Sequence, residues 1–184
     1  MPVGAEVLPG RGVHFRVWAP RRRRVEVVVE GGPGEGCGPV ELRSEEGGYF
    51  SGRVERAAAG TLYRYRLDGG DALPDPASRF QPRGPHGPSE VVDPSGFQWT
   101  DGGWPGVRRP GQVLYELHVG CFTPEGTWEA AARELPELAD AGVTLLEVLP
   151  VAEFPGEFGW GYDGVDHFAP TRLYGRPDDV RRYV

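Results

Sequence analysis

Apolar and polar positions alternate with a period of two in three short runs of the first hundred residues. These runs are Val13–Trp18, Val25–Glu30 and Tyr63–Leu67, and they are followed by Pro20, by Gly31–Gly34 and by Asp68–Gly70. Successive side chains of a strand point to opposite faces, so this period indicates strands with one buried and one solvated face. We therefore predict an antiparallel β-sandwich here, and no helical pattern interrupts it.

A proline-rich connector follows over Asp71–Pro110, with eight prolines in forty residues. Proline lacks an amide donor and fixes φ, so we predict no regular structure in this segment. The connector also carries bulky apolar side chains, at Phe80, Val91, Val92, Phe97, Trp99 and Trp104. These side chains favour a packed, largely rigid connector over a flexible one.

After residue 111 two runs are apolar at nearly every position, Val113–Val119 and Val143–Leu149. Strands that are buried on both faces of a parallel sheet have this composition. Between them, residues 128–139 have apolar side chains at steps of three and four, which indicates one apolar face of a helix. The order strand, helix, strand predicts a βαβ unit.

The predicted helix has recognisable ends. Thr127 is a suitable N-cap residue, and Gly142 suits the left-handed conformation that ends many helices. Pro136 lies inside the run and is expected to kink the helix or to split it in two. A loop rich in aromatic residues covers 150–175, and Pro177 then begins another helix.

The chain ends at Val184, about two turns into that last helix. A single βαβ unit cannot bury both faces of its sheet, so we expect the chain to be the N-terminal piece of a longer enzyme. The expected boundaries are 1–105 for the sandwich with its connector and 106–184 for the start of an α/β domain.

Charge and cysteine content exclude several classes of protein. The chain has 20 basic residues, all Arg, against 27 acidic residues, for a net charge of −7. A negative balance disfavours binding to nucleic acid or to an anionic membrane, and the run Arg21–Arg24 is interpreted as a solvated turn. Cys37 and Cys121 lack the spacing of zinc ligands, and no metal or other cofactor is expected. Without a signal peptide or a long apolar span, the chain is expected in the cytoplasm.

Several motifs of the second half resemble those of one enzyme family. They lie at Tyr115–Gly120, Phe122–Trp128, Leu149–Gly156, Gly159–Val165 and Ala169–Asp179. Together they are similar to the first two barrel strands, and the loops after them, of malto-oligosyltrehalose trehalohydrolases. These enzymes belong to the alpha-amylase superfamily, glycoside hydrolase family 13. The resemblance is strong over 113–180 and weaker over 1–100.

The resemblance implies a fold and an activity. It implies an immunoglobulin-like sandwich followed by the first two strands of an incomplete (β/α)₈ barrel. The whole enzyme would release trehalose from maltooligosyl trehalose, an α-glucan oligosaccharide, by cleaving the α-1,4 bond next to the trehalose unit. Its catalytic carboxylates would follow later barrel strands, beyond Val184, so no catalytic residue is assigned here. The 184-residue chain by itself is therefore expected to be inactive.

Two alternatives stay open at this point. Glycogen branching and debranching enzymes share the sandwich and parts of the motifs, although they usually carry glutamine or asparagine where Asp163 stands. A glucan-binding module is the other alternative, and it depends on three aromatic residues of the sandwich, Trp18, Tyr49 and Tyr63.

The resemblance also indicates substrate-binding residues in the second loop. It implies that Tyr162 offers a flat platform to a sugar ring at the cleavage point, since an aromatic face suits the C–H groups of a pyranose. Trp160 is expected to contact sugar or to support the loop. Asp163 is expected to orient Tyr162 or to bind an arginine or a sugar hydroxyl.

The remaining polar candidates are expected to have structural roles. We expect Glu116 and Glu147 to be hydrogen-bonded carboxylates inside the barrel, and His118 to make a structural hydrogen bond or to touch sugar. Glu153 and Glu157 are expected to be solvated. Asp166 and His167 are adjacent on an extended chain and should point to opposite sides.

Overall fold

The computed structural model describes residues 1–184. Its first half contains nine short strands: β1 (Gly4–Leu8), β2 (Gly12–Trp18), β3 (Val25–Gly31), β4 (Val40–Glu41), β5 (Arg43–Ser44), β6 (Tyr49–Val54), β7 (Leu62–Leu67), β8 (Ala72–Leu73) and β9 (Ser89–Glu90). They form two sheets, one in the order β1-β2-β6-β5 and one in the order β4-β3-β7-β8, in which β9 also pairs with β7. All these pairs are antiparallel, as the period of two predicts.

The core of the sandwich consists of the apolar side chains that the alternation placed on one face. Along β2, Val13, Phe15 and Val17 are buried, and the intervening residues are half-buried or exposed. The Phe15 ring meets the Tyr63 ring edge-on, with 4.8 Å between the ring centroids. These contacts join the two sheets, since Phe15 lies in one and Tyr63 in the other.

The connector differs from its prediction in two respects. It contains regular structure, because β8 and β9 both pair with β7. The prolines flank these two-residue strands and do not lie inside them, so the ladder loses no donor. Packing also ends early: Phe80 and Val91 are buried, whereas Trp99 and Trp104 are exposed.

The second half contains the predicted strand–helix–strand unit. Strand β10 (Leu114–Leu117) is followed by a one-turn helix α1 (Val119–Phe122), by α2 (Trp128–Asp140) and by β11 (Leu145–Val148), and the two strands are parallel. Thr127 caps α2 by accepting a hydrogen bond from the Ala130 amide, and Gly142 has φ +94°. Of the two outcomes expected for Pro136, a kink or a split, the split does not occur, since α2 continues through it.

Two features of the parallel strands were predicted wrongly. Val119 begins α1 and does not extend β10, because the chain turns directly after His118. Val113, Leu114 and Tyr115 are exposed, although their apolar run indicated a strand buried on both faces. The sheet that contains β10 has two strands, so no further strand covers its outer edges.

The remaining elements pack the second half against the sandwich. Strands β12 (Ala152–Glu153) and β13 (Asp166–Pro170) pair antiparallel, and α3 (Pro177–Tyr183) ends the described chain. Arg176, just before α3, forms an ion pair with Glu90 of β9. Its guanidinium also lies 4.8 Å from the centroid of the Phe80 ring. No helix of the structure is both long enough and apolar enough to cross a membrane.

Candidate functional site

A cleft of about 760 Å³ lies where β10 and β11 end at their carboxyl termini. One wall comes from the residues after β10 and the other from the loop after β11 and the segment before α3. The lining residues are His118, Gly120, Cys121, Pro124, Glu125, Gly126, Leu149, Glu157, Phe158, Gly159, Trp160, Leu173 and Tyr174. Ligands of α/β proteins bind at this end of the strands, where loops from neighbouring strands meet.

Three aromatic side chains stand out from the loop beside this cleft. Phe158, Trp160 and Tyr162 are 91%, 82% and 73% exposed, and Gly159 and Gly161 alternate with them. Apolar rings with this exposure at alternate positions of a short loop are unusual, and they mark an interaction site. We name residues 158–162 the aromatic segment.

The glycines of the aromatic segment face the protein body. A Cβ atom at Gly159 would lie 2.9 Å from the Phe154 ring, and one at Gly161 would lie 1.9 Å from the Pro150 carbonyl oxygen. Gly161 also has φ +94°, which a residue with a Cβ atom rarely adopts. The alternation therefore has a steric cause: the backbone approaches closely at the glycines and leaves the aromatic rings in solvent.

The three predicted substrate-binding residues thus lie together. Trp160 lines the cleft. Tyr162 follows two residues later in the chain, and its hydroxyl makes no hydrogen bond. The exposed Asp163 makes no hydrogen bond, so it does not orient Tyr162 through one. Its Oδ1 atom lies 3.0 Å from the point that a Gly159 Cβ would occupy.

His118 makes the structural hydrogen bond that the sequence predicted. Its Nε2 lies 2.9 Å from the Gly159 carbonyl oxygen and 3.2 Å from the Tyr174 hydroxyl oxygen. The His118 and Tyr174 rings meet edge-on at 5.8 Å. Burial raises the pKa of the Tyr174 hydroxyl, and Cys121 and Asp163 raise it further. The hydroxyl therefore stays protonated at neutral pH.

The cleft residues that were not among the predicted site residues include Phe158, Tyr174, Cys121 and Glu125. Phe158 shares the alternating glycine pattern of Trp160 and Tyr162, and that pattern is a sequence signal that could have identified it. The other three are brought to the cleft by the packing of separate segments, which no local pattern shows.

Glu116 and Glu147 are neighbours across the parallel pair β10–β11. Both are exposed and neither carboxylate makes a hydrogen bond, so the prediction that they are hydrogen-bonded carboxylates is wrong for this structure. They belong to the face of the two-stranded sheet that nothing covers. Glu157 is exposed, as predicted.

Glu153 was predicted to be solvated, and this prediction is wrong. Its side chain is fully buried. One carboxylate oxygen pairs with the Arg172 guanidinium, and the other accepts the Arg172 backbone N–H at 2.8 Å. The guanidinium also donates to the Gly156 carbonyl at 3.1 Å and lies over Gly84 of the connector. The long separation between Glu153 and Arg172 in the chain gives no local signal for this pair.

Asp166 and His167 lie on opposite faces of β13, as predicted: Asp166 is buried and His167 is exposed. Oδ2 of Asp166 has no hydrogen-bond partner. Burial, then the nearby Glu153 and, more weakly, Asp75 raise the pKa of Asp166 to about 6. The smaller effects of His86 and His167 lower it.

The raised pKa of Asp166 predicts a pH-dependent stability. Between the ordinary pKa of about 4 and the folded-state value of about 6, the folded chain holds a proton that the unfolded chain has lost. The contribution of Asp166 to the unfolding free energy therefore falls as pH rises through this window. We expect Asp166→Asn to flatten the stability between pH 4.5 and 7, measured by urea unfolding, and the exposed control Asp163→Asn to leave it unchanged. Parallel profiles for both variants would contradict this assignment.

The aromatic residues of the sandwich divide into two kinds. Tyr63 is buried in the core and cannot bind a ligand, so its place among the candidates was wrong. Trp18 is 59% exposed and its Nε1–H donates to the Gly47 carbonyl at 3.0 Å. Tyr49 is its direct neighbour across β2 and β6, and the Arg16 guanidinium covers the Tyr49 ring at 3.9 Å from its centroid.

Curated relatives match nearly the whole chain. A "Malto-oligosyltrehalose trehalohydrolase" of Saccharolobus solfataricus is 42% identical over 94% of the chain, and one of Deinococcus radiodurans is 44% identical over 99%. A "1,4-alpha-glucan branching enzyme GlgB 1" of Xanthomonas axonopodis is 36% identical over 97% of the chain. The chain spans about 30% of the length of the two trehalohydrolases and 27% of the branching enzyme.

A solved structure agrees with these relatives. A crystal structure described as an alpha amylase from Salmonella typhimurium is 44% identical and superposes with a TM-score of 0.90, over 99% of this chain and 30% of that one. The family model "Carbohydrate-binding module 48 (Isoamylase N-terminal domain)" matches residues 2–94, which is half of the chain and contains both sheets of the sandwich. The chain therefore belongs to the carbohydrate-binding module 48 family, and it continues beyond that module with a segment similar to malto-oligosyltrehalose trehalohydrolases.

Proposed function

We propose that this chain forms the N-terminal part of a glycoside hydrolase that releases trehalose from maltooligosyl trehalose. The cleaved bond is the α-1,4 bond next to the trehalose unit. The observation that carries the proposal is the identity of 42% and 44%, over almost the whole chain, to two enzymes named for this activity. The branching enzyme is less similar, at 36%.

The proposal includes the rest of the domain organisation. Residues 1–105 form an immunoglobulin-like sandwich with its connector, and 106–184 begin a catalytic (β/α)₈ barrel with β10 and β11 as its first two strands. The parallel register of these strands and the cleft at their carboxyl ends support this arrangement. The absence of disulfides at Cys37 and Cys121 fits a cytoplasmic location.

Within this enzyme, the chain supplies sugar contacts and no catalytic carboxylate. Hydrolysis with retention needs two carboxyl groups about 5–5.5 Å apart on either side of the scissile bond. Glu153 is bound by Arg172 and Asp166 lies buried near the sandwich, so neither is assigned this role. The aromatic segment offers exposed rings to an α-glucan, and Tyr162 is its platform at the cleavage point. We still expect the 184-residue chain by itself to be inactive.

Trehalose release by the full-length protein is the direct test of this function. We expect trehalose as the product from maltooligosyl trehalose, whereas a branching enzyme would give longer or branched glucans and no trehalose. An absence of trehalose together with new α-1,6 branches would replace the proposal with the branching alternative.

Replacement of Tyr162 tests the sugar platform. In the full-length protein we expect Tyr162→Ala to lower kcat/KM for maltooligosyl trehalose about 10–100-fold, since loss of a stacking surface costs about 1–3 kcal/mol by analogy with bases on aromatic rings. Trp104→Ala removes another exposed ring, far along the connector, and serves as the control. Equal kcat/KM values for the wild type and Tyr162→Ala would show that Tyr162 only packs within its loop.

A second function, glucan binding by the sandwich, is favoured by the exposed Trp18 together with the module family to which residues 2–94 belong. The Trp18 ring has its indole N–H satisfied by Gly47 and its face open. We expect Trp18→Ala to abolish retardation of the chain in glycogen-containing native gels, while Tyr162→Ala retains it. Unretarded wild-type migration would eliminate this second function.

A further inference from the structure

The exposed rings of the aromatic segment make few contacts that could hold them. Phe158, Trp160 and Tyr162 project into solvent, and none of the three rings pairs with another aromatic ring of the chain. Their positions therefore depend on the backbone between them. When such rings bind sugar by stacking, a displacement of the backbone also displaces the surface that contacts the sugar.

One side chain holds this backbone beside the cleft. The hydrogen bond between His118 and the Gly159 carbonyl, 2.9 Å long, is the only one made by residues 157–160. Gly159 lies between Phe158 and Trp160, so the bond is attached at the centre of the segment. The neighbouring fixed points, the Arg172 bond to Gly156 and the close approach of Gly161 to Pro150, lie on either side of it.

The carbonyl acceptor also determines the tautomer of His118. A carbonyl oxygen accepts only, so Nε2 carries the proton and donates it to Gly159. The Tyr174 hydroxyl oxygen, 3.2 Å from the same nitrogen, lies close enough to share that proton. Nδ1 is buried and has no hydrogen-bond partner. The His118 imidazole therefore makes its hydrogen bonds through Nε2, on the side that faces the aromatic segment.

His118 is in turn fixed by the core of the second half. Its ring packs edge-on against Tyr174, which is buried and packs against the Trp128 ring at 6.3 Å. Gly120 leaves room for both rings, because a Cβ there would lie 2.7 Å from the Tyr174 ring and 3.1 Å from the His118 ring. A continuous line of contacts therefore runs from the core residue Trp128 to the exposed Trp160.

We propose that His118 is a positioning residue, whose Nε2–H bond to Gly159 sets the conformation of the aromatic segment and thereby aligns Trp160 and Tyr162 for stacking on α-glucan. The alignment for glucan rests on the proposed function, whereas the control of the segment's conformation does not. His118 contacts no reacting atom in this role, and its effect passes through the backbone.

The test uses the 184-residue chain labelled with 5-fluorotryptophan. Its ¹⁹F spectrum has one resonance for each of the five tryptophans, and Trp160→Phe identifies the Trp160 signal. We expect His118→Ala to shift or broaden that signal and to leave the signals of the distant Trp18, Trp99 and Trp104 in place. His118→Gln restores an N–H donor at a similar reach and is expected to restore the signal. His167→Ala removes an exposed histidine and is expected to change nothing.

Addition of maltotetraose separates the positioning role of His118 from the binding of glucan by the aromatic segment. We expect the sugar to shift the Trp160 resonance in the wild type, and its Kd to rise about tenfold in His118→Ala and to recover in His118→Gln, because small errors in position weaken preorganised contacts strongly. An unchanged Trp160 signal in His118→Ala would overturn the positioning role. A Trp160 signal that changes in His118→Ala, combined with a wild type that ignores maltotetraose, would support the positioning role and count against glucan binding at this cleft.

Discussion

Arg172→Ala is expected to lower the free energy of unfolding by about 3–5 kcal/mol, because it leaves the buried carboxylate of Glu153 without its counter-ion. The fully buried Glu153 receives the guanidinium on one oxygen and the backbone N–H of residue 172 on the other. A buried charge that loses its partner keeps its full desolvation cost, which is why removal of one member of such a pair is so destabilising.

Neutralising Glu153 provides the matched control. Glu153→Gln keeps the shape of the side chain and removes the charge, so Arg172→Ala should cost markedly less in a Glu153→Gln background than in the wild type. Urea unfolding of the four proteins measures the difference. If Arg172→Ala costs the same in both backgrounds, then the loss comes from packing against Gly84 and the bond to Gly156, and the ion pair is not the cause.

The same substitution should disturb the region next to the cleft. Arg172 holds the Gly156 carbonyl at the start of the loop that contains the aromatic segment. The pair also lies against the connector, since the guanidinium is 3.5 Å from the point that a Gly84 Cβ would occupy. Arg172 therefore links the loop, β12 and the connector, and its loss is expected to loosen all three.

Asp75→Ala is the second large effect that we expect, with a loss of about 2–5 kcal/mol in unfolding free energy. Asp75 is fully buried and accepts hydrogen bonds from the Tyr63 hydroxyl at 2.6 Å and the Ala77 amide at 2.8 Å. Alanine would leave the buried Tyr63 hydroxyl and the half-buried Ala77 amide without their acceptor, and a buried unsatisfied group costs about 1–3 kcal/mol. These bonds anchor the start of the connector on the core of the sandwich.

We expect the hydrogen bonds of Asp75, and not its charge, to stabilise the fold. Burial raises the pKa of this carboxyl, and this effect outweighs the lowering effect of the hydrogen bond from Tyr63. Asp75→Asn keeps one acceptor oxygen, for the Ala77 amide, and its NH2 group can donate to the Tyr63 hydroxyl oxygen, so it should cost less than Asp75→Ala. Thermal unfolding of both variants measures the contrast. Equal losses would contradict this expectation and show that an amide cannot replace the carboxylate here.

Local patterns in the sequence predicted most elements correctly. The period of two in Val13–Trp18 and Tyr63–Leu67 predicts strands that the structure contains, because alternation depends only on the geometry of a single strand. The cap at Thr127 and the stop at Gly142 were predictable for the same reason, since each acts within one helical turn. The motif around Tyr162 indicated the region of the cleft through its resemblance to a known family, and not through a local pattern.

The sequence by itself thus determined the alternating strands of the first half, the strand–helix–strand unit of the second half and the ends of α2, all of which depend on neighbours within a few residues. Only the tertiary structure decided which polar groups are buried and with whom they pair. Glu153 looked solvated and is paired with Arg172, and Tyr63 looked available and lies in the core. His118 reaches Gly159 across 41 residues of chain. Burial and pairing are properties of contacts between distant segments, and a pattern of short period carries no information about which segments meet.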